Sequence, residues 1–181
     1  MKASVARAAL DAGATLVNDV SALRADPELA GVCADARCDV CLMHMLGDPR
    51  TMQRDPRYDD VVADVKAFLE ARLAFAVDAG IGEERILLDP GIGFGKTVEH
   101  NLTLLRRLDE LAALGRPLVI GTSRKSFLGK LTGRPQARER VAGTVATNVM
   151  ALERGATVFR VHDVAPTVEA LTVATATLAA P

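Results

Sequence analysis

Cysteine is scarce in this 181-residue chain: Cys33, Cys38 and Cys41 are the only three. Their spacing is ferredoxin-like, but an iron–sulfur cluster needs a fourth thiolate, and none exists. An odd count also excludes a fully paired disulfide framework. Cys38-x-x-Cys41 with His44 offers three potential zinc ligands. Cys41 and His44 fall in a predicted strand, Val40 to Met45, where residues three apart point to opposite faces. Three buried, reduced thiols are expected instead.

Excess charge is also lacking. The net charge is −1 and there is no tryptophan, so nothing argues for a nucleic-acid or membrane-surface partner. No window of about eighteen uninterrupted apolar residues occurs, so no membrane span is implied. The start, Met1-Lys2-Ala3-Ser4-Val5-Ala6-Arg7, has charge without an apolar core behind it, unlike a secretory signal. The expected location is the cytoplasm.

Two nucleotide-binding motifs are missing by a small margin. A phosphate loop, G-x-x-x-x-G-K-[ST], would need glycine where Pro90 stands. Proline also removes a backbone donor there. The dinucleotide fingerprint fails because Gly91, Gly93 and Gly95 alternate. What is present is an aliphatic run, Ile86 to Leu88, that ends in Asp89, Pro90 and those three glycines. It reads as a buried strand opening into a loop where backbone approaches a ligand closely, with an acid at the strand mouth.

The rest of the chain repeats that unit. Residues 2–12 read as a short helix ended by Gly13. Leu16 to Asp19 is a strand, and Asp26-Pro27 starts a helix reaching about Arg37. Strand Val40 to His44 leads to a long loop marked by Gly47-Asp48-Pro49 and Asp55-Pro56. A helix follows from Asp59 to Ala79. After the glycine loop, Val98, Leu102, Leu105, Leu108 and Leu111 define one amphipathic helix. Strand Pro117 to Ile120 exits into Gly121-Thr122-Ser123-Arg124-Lys125-Ser126. A polar insertion, Gly133 to Arg140, precedes a helix to about Arg154. The last strand runs from Val158 to Asp163, and Pro166 begins a final helix.

Five strand–helix units in alternation give a parallel sheet with helices outside. Polar residues stand at every strand exit: Asn18, His44, Asp89, Ser123 with Lys125, and His162. A doubly wound sheet concentrates its site at one switch point, whereas a barrel mouth uses all its strand ends. The expectation is a single domain over residues 1–181, part of a TIM (β/α)8-type barrel with about five of eight units. A full barrel takes about 250 residues, so an N-terminally incomplete barrel is expected.

Five runs carry a family resemblance: Val17-Asn18-Asp19-Val20-Ser21, Cys41-Leu42-Met43-His44-Met45, Leu88 through Lys96, Gly121 through Ser126, and Arg160-Val161-His162-Asp163-Val164. Together, in this order, they resemble dihydropteroate synthase, the folate-pathway transferase. That family joins 6-hydroxymethyl-dihydropterin pyrophosphate to para-aminobenzoate and releases pyrophosphate. Its first three strands, the Asn that holds Mg2+ and an Asp that contacts the pterin have no counterpart here. Met1-Lys2-Ala3-Ser4 resembles the helix after the third strand.

The resemblance implies roles residue by residue. Asp89 is the pterin anchor, and a carboxylate accepting from a ring N–H and an exocyclic amine suits that task. Asn18, a donor and an acceptor, also matches a pterin contact. Lys125 resembles a lysine that contacts the ring near the aniline pocket. Met43 lines the pterin pocket. Arg160 and His162, two apart on a predicted strand and so on one face, fit the departing pyrophosphate. From their positions, Phe94, between two glycines, is expected to be exposed enough to pack against para-aminobenzoate, and Ser126, near the start of a short helix, to bind its carboxylate with help from backbone N–H groups. The implied mechanism is alkyl transfer, with Arg160, His162 and Mg2+ stabilising charge on the leaving group. No general base is identifiable. The resemblance also implies a homodimer held through helices near the C-terminus.

Two other readings stay open. A pterin-binding methyltransferase shares the Asn and Asp anchors, but methyl transfer releases no pyrophosphate to engage Arg160 and His162. A catalytically silent chain with two unpaired strand edges would instead associate with a partner. Little turnover is expected from this polypeptide alone.

Overall fold

The computed structural model describes residues 2–181; Met1, the first residue of the run likened to a helix after a third strand, lies outside them. The chain begins with helix α1 (Ala3–Asp11), then β1 (Leu16–Asp19), α2 (Leu29–Ala36) and β2 (Asp39–Met43). Helix α3 (Val61–Asp78) leads to β3 (Ile86–Asp89), α4 (Val98–Arg106) and α5 (Asp109–Ala112). Then come β4 (Leu118–Ile120), α6 (Ser126–Thr132), α7 (Val141–Glu153), β5 (Ala156–Phe159) and α8 (Val164–Leu178).

The strands pair in parallel in chain order, β1-β2-β3-β4-β5. A doubly wound sheet reverses its order at a switch point. This one never reverses, and each connection carries a helix, so the sheet is an arc of a barrel wall.

Register decides which side chains face where. Asn18 pairs with Cys41 and Cys41 with Leu87, while Met43 pairs with Asp89. Side chains alternate along a strand, so Asn18, Cys41, Met43, Leu87 and Asp89 share the inner face. The intervening residues Val40, Leu42, Ile86, Leu88, Leu118 and Ile120 are all 0% exposed and join the cluster beneath the helices. Burying each such aliphatic contributes roughly 2 kcal/mol. The near-continuous apolar runs follow from burial on both faces.

Three elements differ from the sequence reading. The single helix expected over Val98 to Leu111 is two helices. Its break at Arg107 is held by a guanidinium that bonds Asp60 at 2.9 Å and Glu110 at 2.6 and 3.0 Å. Leu102, counted on the apolar face, is 42% exposed. The last strand was expected over Val158 to Asp163 but spans Ala156–Phe159. Its partner β4 is three residues long, and the pairing ends where the Arg160 N–H donates to Ile120 O at 2.9 Å. Helix α2 starts after Asp26-Pro27, because the Asp26 carboxylate accepts from Ala3 N and Glu28 N outside the helix.

Asp60 caps α3 through Val62 N and Ala63 N, as an aspartate at a helix start does. Cys33, Cys38 and Cys41 are free and buried, and burial pushes the Cys33 and Cys41 thiols up to about 12. No helix among the described residues is long and apolar enough to cross a membrane.

Candidate active site

The C-terminal ends of the strands bring distant residues together. Asp89, last in β3, is 1% exposed. Its Oδ1 accepts from Gly91 N at 2.7 Å and its Oδ2 from Arg160 Nη2 at 3.0 Å. The other arm of the same guanidinium, Nη1, donates to Asn18 Oδ1 at 2.9 Å. One arginine after β5 thus spans acceptors on β1 and β3. Burial pushes the Asp89 carboxyl above the usual range, and Arg160, the Gly91 N–H and Lys125 pull against it.

Lys125 follows β4, and its Nζ lies 4.0 Å from the centroid of the Phe94 ring. Burial lowers its pKa, while the Asp89 charge opposes that. Gly93 makes room for it: a Cβ there would stand 3.1 Å from Lys125 Cδ. His162 is fixed by Ser123, whose Oγ accepts from the His162 backbone N–H and meets Nδ1, both at 3.0 Å. A hydroxyl that gives its own proton to Nδ1 leaves the ring N–H on Nε2. Phe94, Ser123, Lys125, Arg160 and His162 line one cavity of about 300 Å³.

Met43 is 0% exposed and packs under the glycine loop, its Cγ 3.5 Å from where a Gly91 Cβ would be. Of the eight residues singled out from the sequence, Asn18, Met43, Asp89, Phe94, Lys125, Arg160 and His162 gather at this mouth. Ser126 stands apart. It is exposed and lines a second cavity, of about 450 Å³, with Gly93, Lys96 and Lys130. Arg160 and His162 were expected on one strand; both lie beyond the end of β5, and their side chains take different partners.

Among the described residues, no group of three or more His, Cys, Asp or Glu side chains is placed to hold a metal ion. Asp89 is engaged by Arg160 and Gly91, and Asp19 by Ser21 and Leu23. These residues do not fit Mg2+.

One buried pair has no signal in the sequence. Lys96 Nζ meets His44 Nδ1 at 2.8 Å and donates to Phe94 O at 3.1 Å. Lys96 is 3% and His44 5% exposed. Nothing in spacing links two residues 52 apart, although His44 stands at a strand exit and Lys96 closes the glycine run. Burial, partly offset by Asp89, lowers the lysine to about 7. Burial and the neighbouring Lys96 charge lower His44 to about 3. The ring nitrogen therefore accepts, and the lysine bolts the glycine loop to the end of β2.

A depressed lysine means that the unfolded chain binds the proton more tightly. Stability then rises as pH climbs from the folded value of about 7 toward the ordinary lysine value of 10.5. Between about pH 6.5 and 8.5, wild type should gain roughly 2 kcal/mol relative to Lys96→Met. Urea unfolding of both proteins at the two pH values measures this. A constant difference between them would remove the buried ammonium from the account.

The sequence profile of a family described as "Pterin binding enzyme" matches residues 1–162. The chain is 48% identical over 163 residues to dihydropteroate synthase of Synechocystis sp., covering 90% of this chain and 56% of that protein. It is 45% identical over 179 residues to the Escherichia coli K12 enzyme, covering 99% and 63%. Among solved structures, dihydropteroate synthase of Xanthomonas albilineans with 4-aminobenzoic acid superposes with a TM-score of 0.93 at 50% identity. That match covers 99% of this chain and 63% of the other. The Thermus thermophilus enzyme in complex with 6HMPPP gives 0.91 at 48%, covering 96% and 68%. The chain thus spans between 56% and 63% of these two curated relatives' lengths.

Proposed function

The chain belongs to the pterin-binding enzyme family, and from that premise we propose that it carries the pterin and diphosphate face of a dihydropteroate synthase. The reaction is the transfer of the pterin methylene from pyrophosphate oxygen to the amine of para-aminobenzoate. The observation that carries this reading is the meeting of Asn18, Asp89, Lys125 and Arg160 at one strand-end mouth. The identities of 45–48% to named synthases over at least 90% of the chain support it.

In this reading Asp89 accepts from the ring N–H and exocyclic amine of the pterin, with Asn18 beside it. Lys125 lies between the ring and Phe94, against which the aryl ring of para-aminobenzoate packs. The Nε2–H of His162 donates to the departing diphosphate, and Arg160 joins it there. As the carbon–oxygen bond lengthens, negative charge grows on the leaving oxygens, where fixed donors stabilise it most. The aniline nitrogen forms the new bond and loses a proton; no residue is assigned to take it. Ser126 is kept for the para-aminobenzoate carboxylate because it opens helix α6. Mg2+ is proposed on the resemblance, with no ligand set among the described residues, and no step is drawn through it.

A pterin-binding domain over residues 1–181, a cytoplasmic location and a homodimer complete the proposal. Exposed Val168, Val173 and Leu178 on α8, at 57%, 63% and 57%, support the dimer. The test is a calorimetric titration of the purified chain with 6-hydroxymethyl-7,8-dihydropterin pyrophosphate. A saturable one-to-one heat is expected; no saturable heat up to millimolar ligand refutes the reading.

A further inference from the structure

The acceptors given to the heterocycle already have an occupant. Arg160 Nη1 holds Asn18 Oδ1 and Nη2 holds Asp89 Oδ2, at 2.9 and 3.0 Å. A guanidinium is a planar N–C–N unit with N–H donors at fixed spacing. The amino-pyrimidinone edge of a pterin is the same unit: an exocyclic amine and a ring N–H on one carbon. Asn18 and Asp89 lie on different strands and Arg160 bridges them; a pterin edge whose ring N–H and amine both face Asp89 takes that acceptor from Arg160 and turns the amine's second hydrogen toward Asn18.

Other details make this arginine displaceable. Its side chain is 45% exposed while Asp89 is 1% exposed, so the carboxylate is fixed and the guanidinium has room to leave. Gly121 supplies the passage: a Cβ there would stand 2.8 Å from Arg160 Nη2. The cavity that Arg160 lines also contains His162 and Lys125, the donors assigned to the diphosphate and the ring.

We propose that Arg160 is an internal competitor for the heterocycle's place. A ligand with a guanidine-like edge displaces it from Asn18 and Asp89, and the freed guanidinium turns along the mouth toward His162 to meet the diphosphate. This inference rests on the proposed function and adds a source of selectivity to it. Pterin pyrophosphate gives the displaced arginine a new anionic partner. The phosphate-free alcohol must expel Arg160 and offers nothing in return. The site therefore discriminates between substrate and its unactivated precursor by exchange of partners as well as by direct contact.

The test is calorimetry with 6-hydroxymethyl-7,8-dihydropterin and with its pyrophosphate. In Arg160→Ala the phosphate-free pterin should bind about threefold tighter or more, while the pyrophosphate binds at least about tenfold more weakly. Equal or weaker binding of the phosphate-free pterin by the variant overturns the proposal. A wild-type measurement guards against a misfolded variant. The Arg160 guanidinium 15N–1H signals, restrained by their two acceptors, should average to free rotation on saturation with phosphate-free pterin. Unchanged signals at saturation also overturn it. If wild type fails to bind either ligand, the proposed function falls first. If wild type binds and Arg160→Ala weakens both ligands, only the role of Arg160 falls.

Discussion

Asp89→Asn is expected to lower affinity for pterin pyrophosphate by about a hundredfold or more. The wild-type carboxylate is acceptor-only, and two donors on the heterocycle face it in the proposed complex. An amide keeps one acceptor and turns an NH2 toward a ring donor, so one hydrogen bond becomes a repulsion. Charge-assisted hydrogen bonds contribute about 1.5–3 kcal/mol each, and losing one while adding the clash costs about 3 kcal/mol. Folding should change far less. The amide oxygen can still accept from Gly91 N, which lies 2.7 Å from Oδ1 in the wild type, and a neutral amide avoids the burial cost that raises the carboxyl. Calorimetry and thermal melting of both proteins separate the two effects. Affinities within about threefold of each other would leave Asp89 a structural cap on its loop.

Gly91→Ala should be the most damaging single-methyl change in the chain. Gly91 has a φ of +68°, and a Cβ there would lie 1.8 Å from the His44 carbonyl oxygen. That oxygen is backbone at the end of β2 and cannot rotate away. The left-handed conformation alone costs an alanine about 1–2 kcal/mol. The overlap adds to it by forcing the loop off β2, which breaks the Gly91 N to Asp89 Oδ1 bond and the Phe94 N to Gly91 O bond of 3.0 Å. A total loss of at least about 4 kcal/mol is expected. Gly115→Ala is the control, with a φ of +73° and nothing within 4 Å of the added carbon. It should lose only about 1–2 kcal/mol. Urea midpoints decide it, and equal losses at the two positions would mean that the glycine loop yields.

The sequence marked the parts of the fold that depend on local pattern. Ile86 to Leu88 reads as a strand because an aliphatic run stops at an acid and a proline, and β3 ends at Asp89. Leu16 to Asp19 coincides with β1. Tertiary contacts override pattern elsewhere. Leu102, Leu105, Leu108 and Leu111 fit one helix, but the tie from Arg107 to Asp60, 47 residues away, bends the chain between them. Strand β5 stops short of its pattern because Val161 continues an apolar alternation that has no strand beside it to pair with. In the candidate site, residues at strand exits are legible because a parallel strand delivers its last side chain to the mouth. The partnerships of Lys96 with His44 and of Ser123 with His162 are not, since each joins residues far apart in sequence.

Adjacent residues of β1 end in opposite worlds. Asn18 reaches the Arg160 guanidinium, while Asp19, 0% exposed, turns under the helices and accepts from Ser21 and from Leu23 N. Because the alternation has a period of two, sliding this four-residue strand by a single step would exchange amide for acid at the mouth. A second anion facing Asp89 would then repel it and bind the arginine too firmly to let go. The turn clamped by Asp19 is thus a ratchet stop: by fixing how far β1 can slip, it determines the charge that an incoming molecule meets.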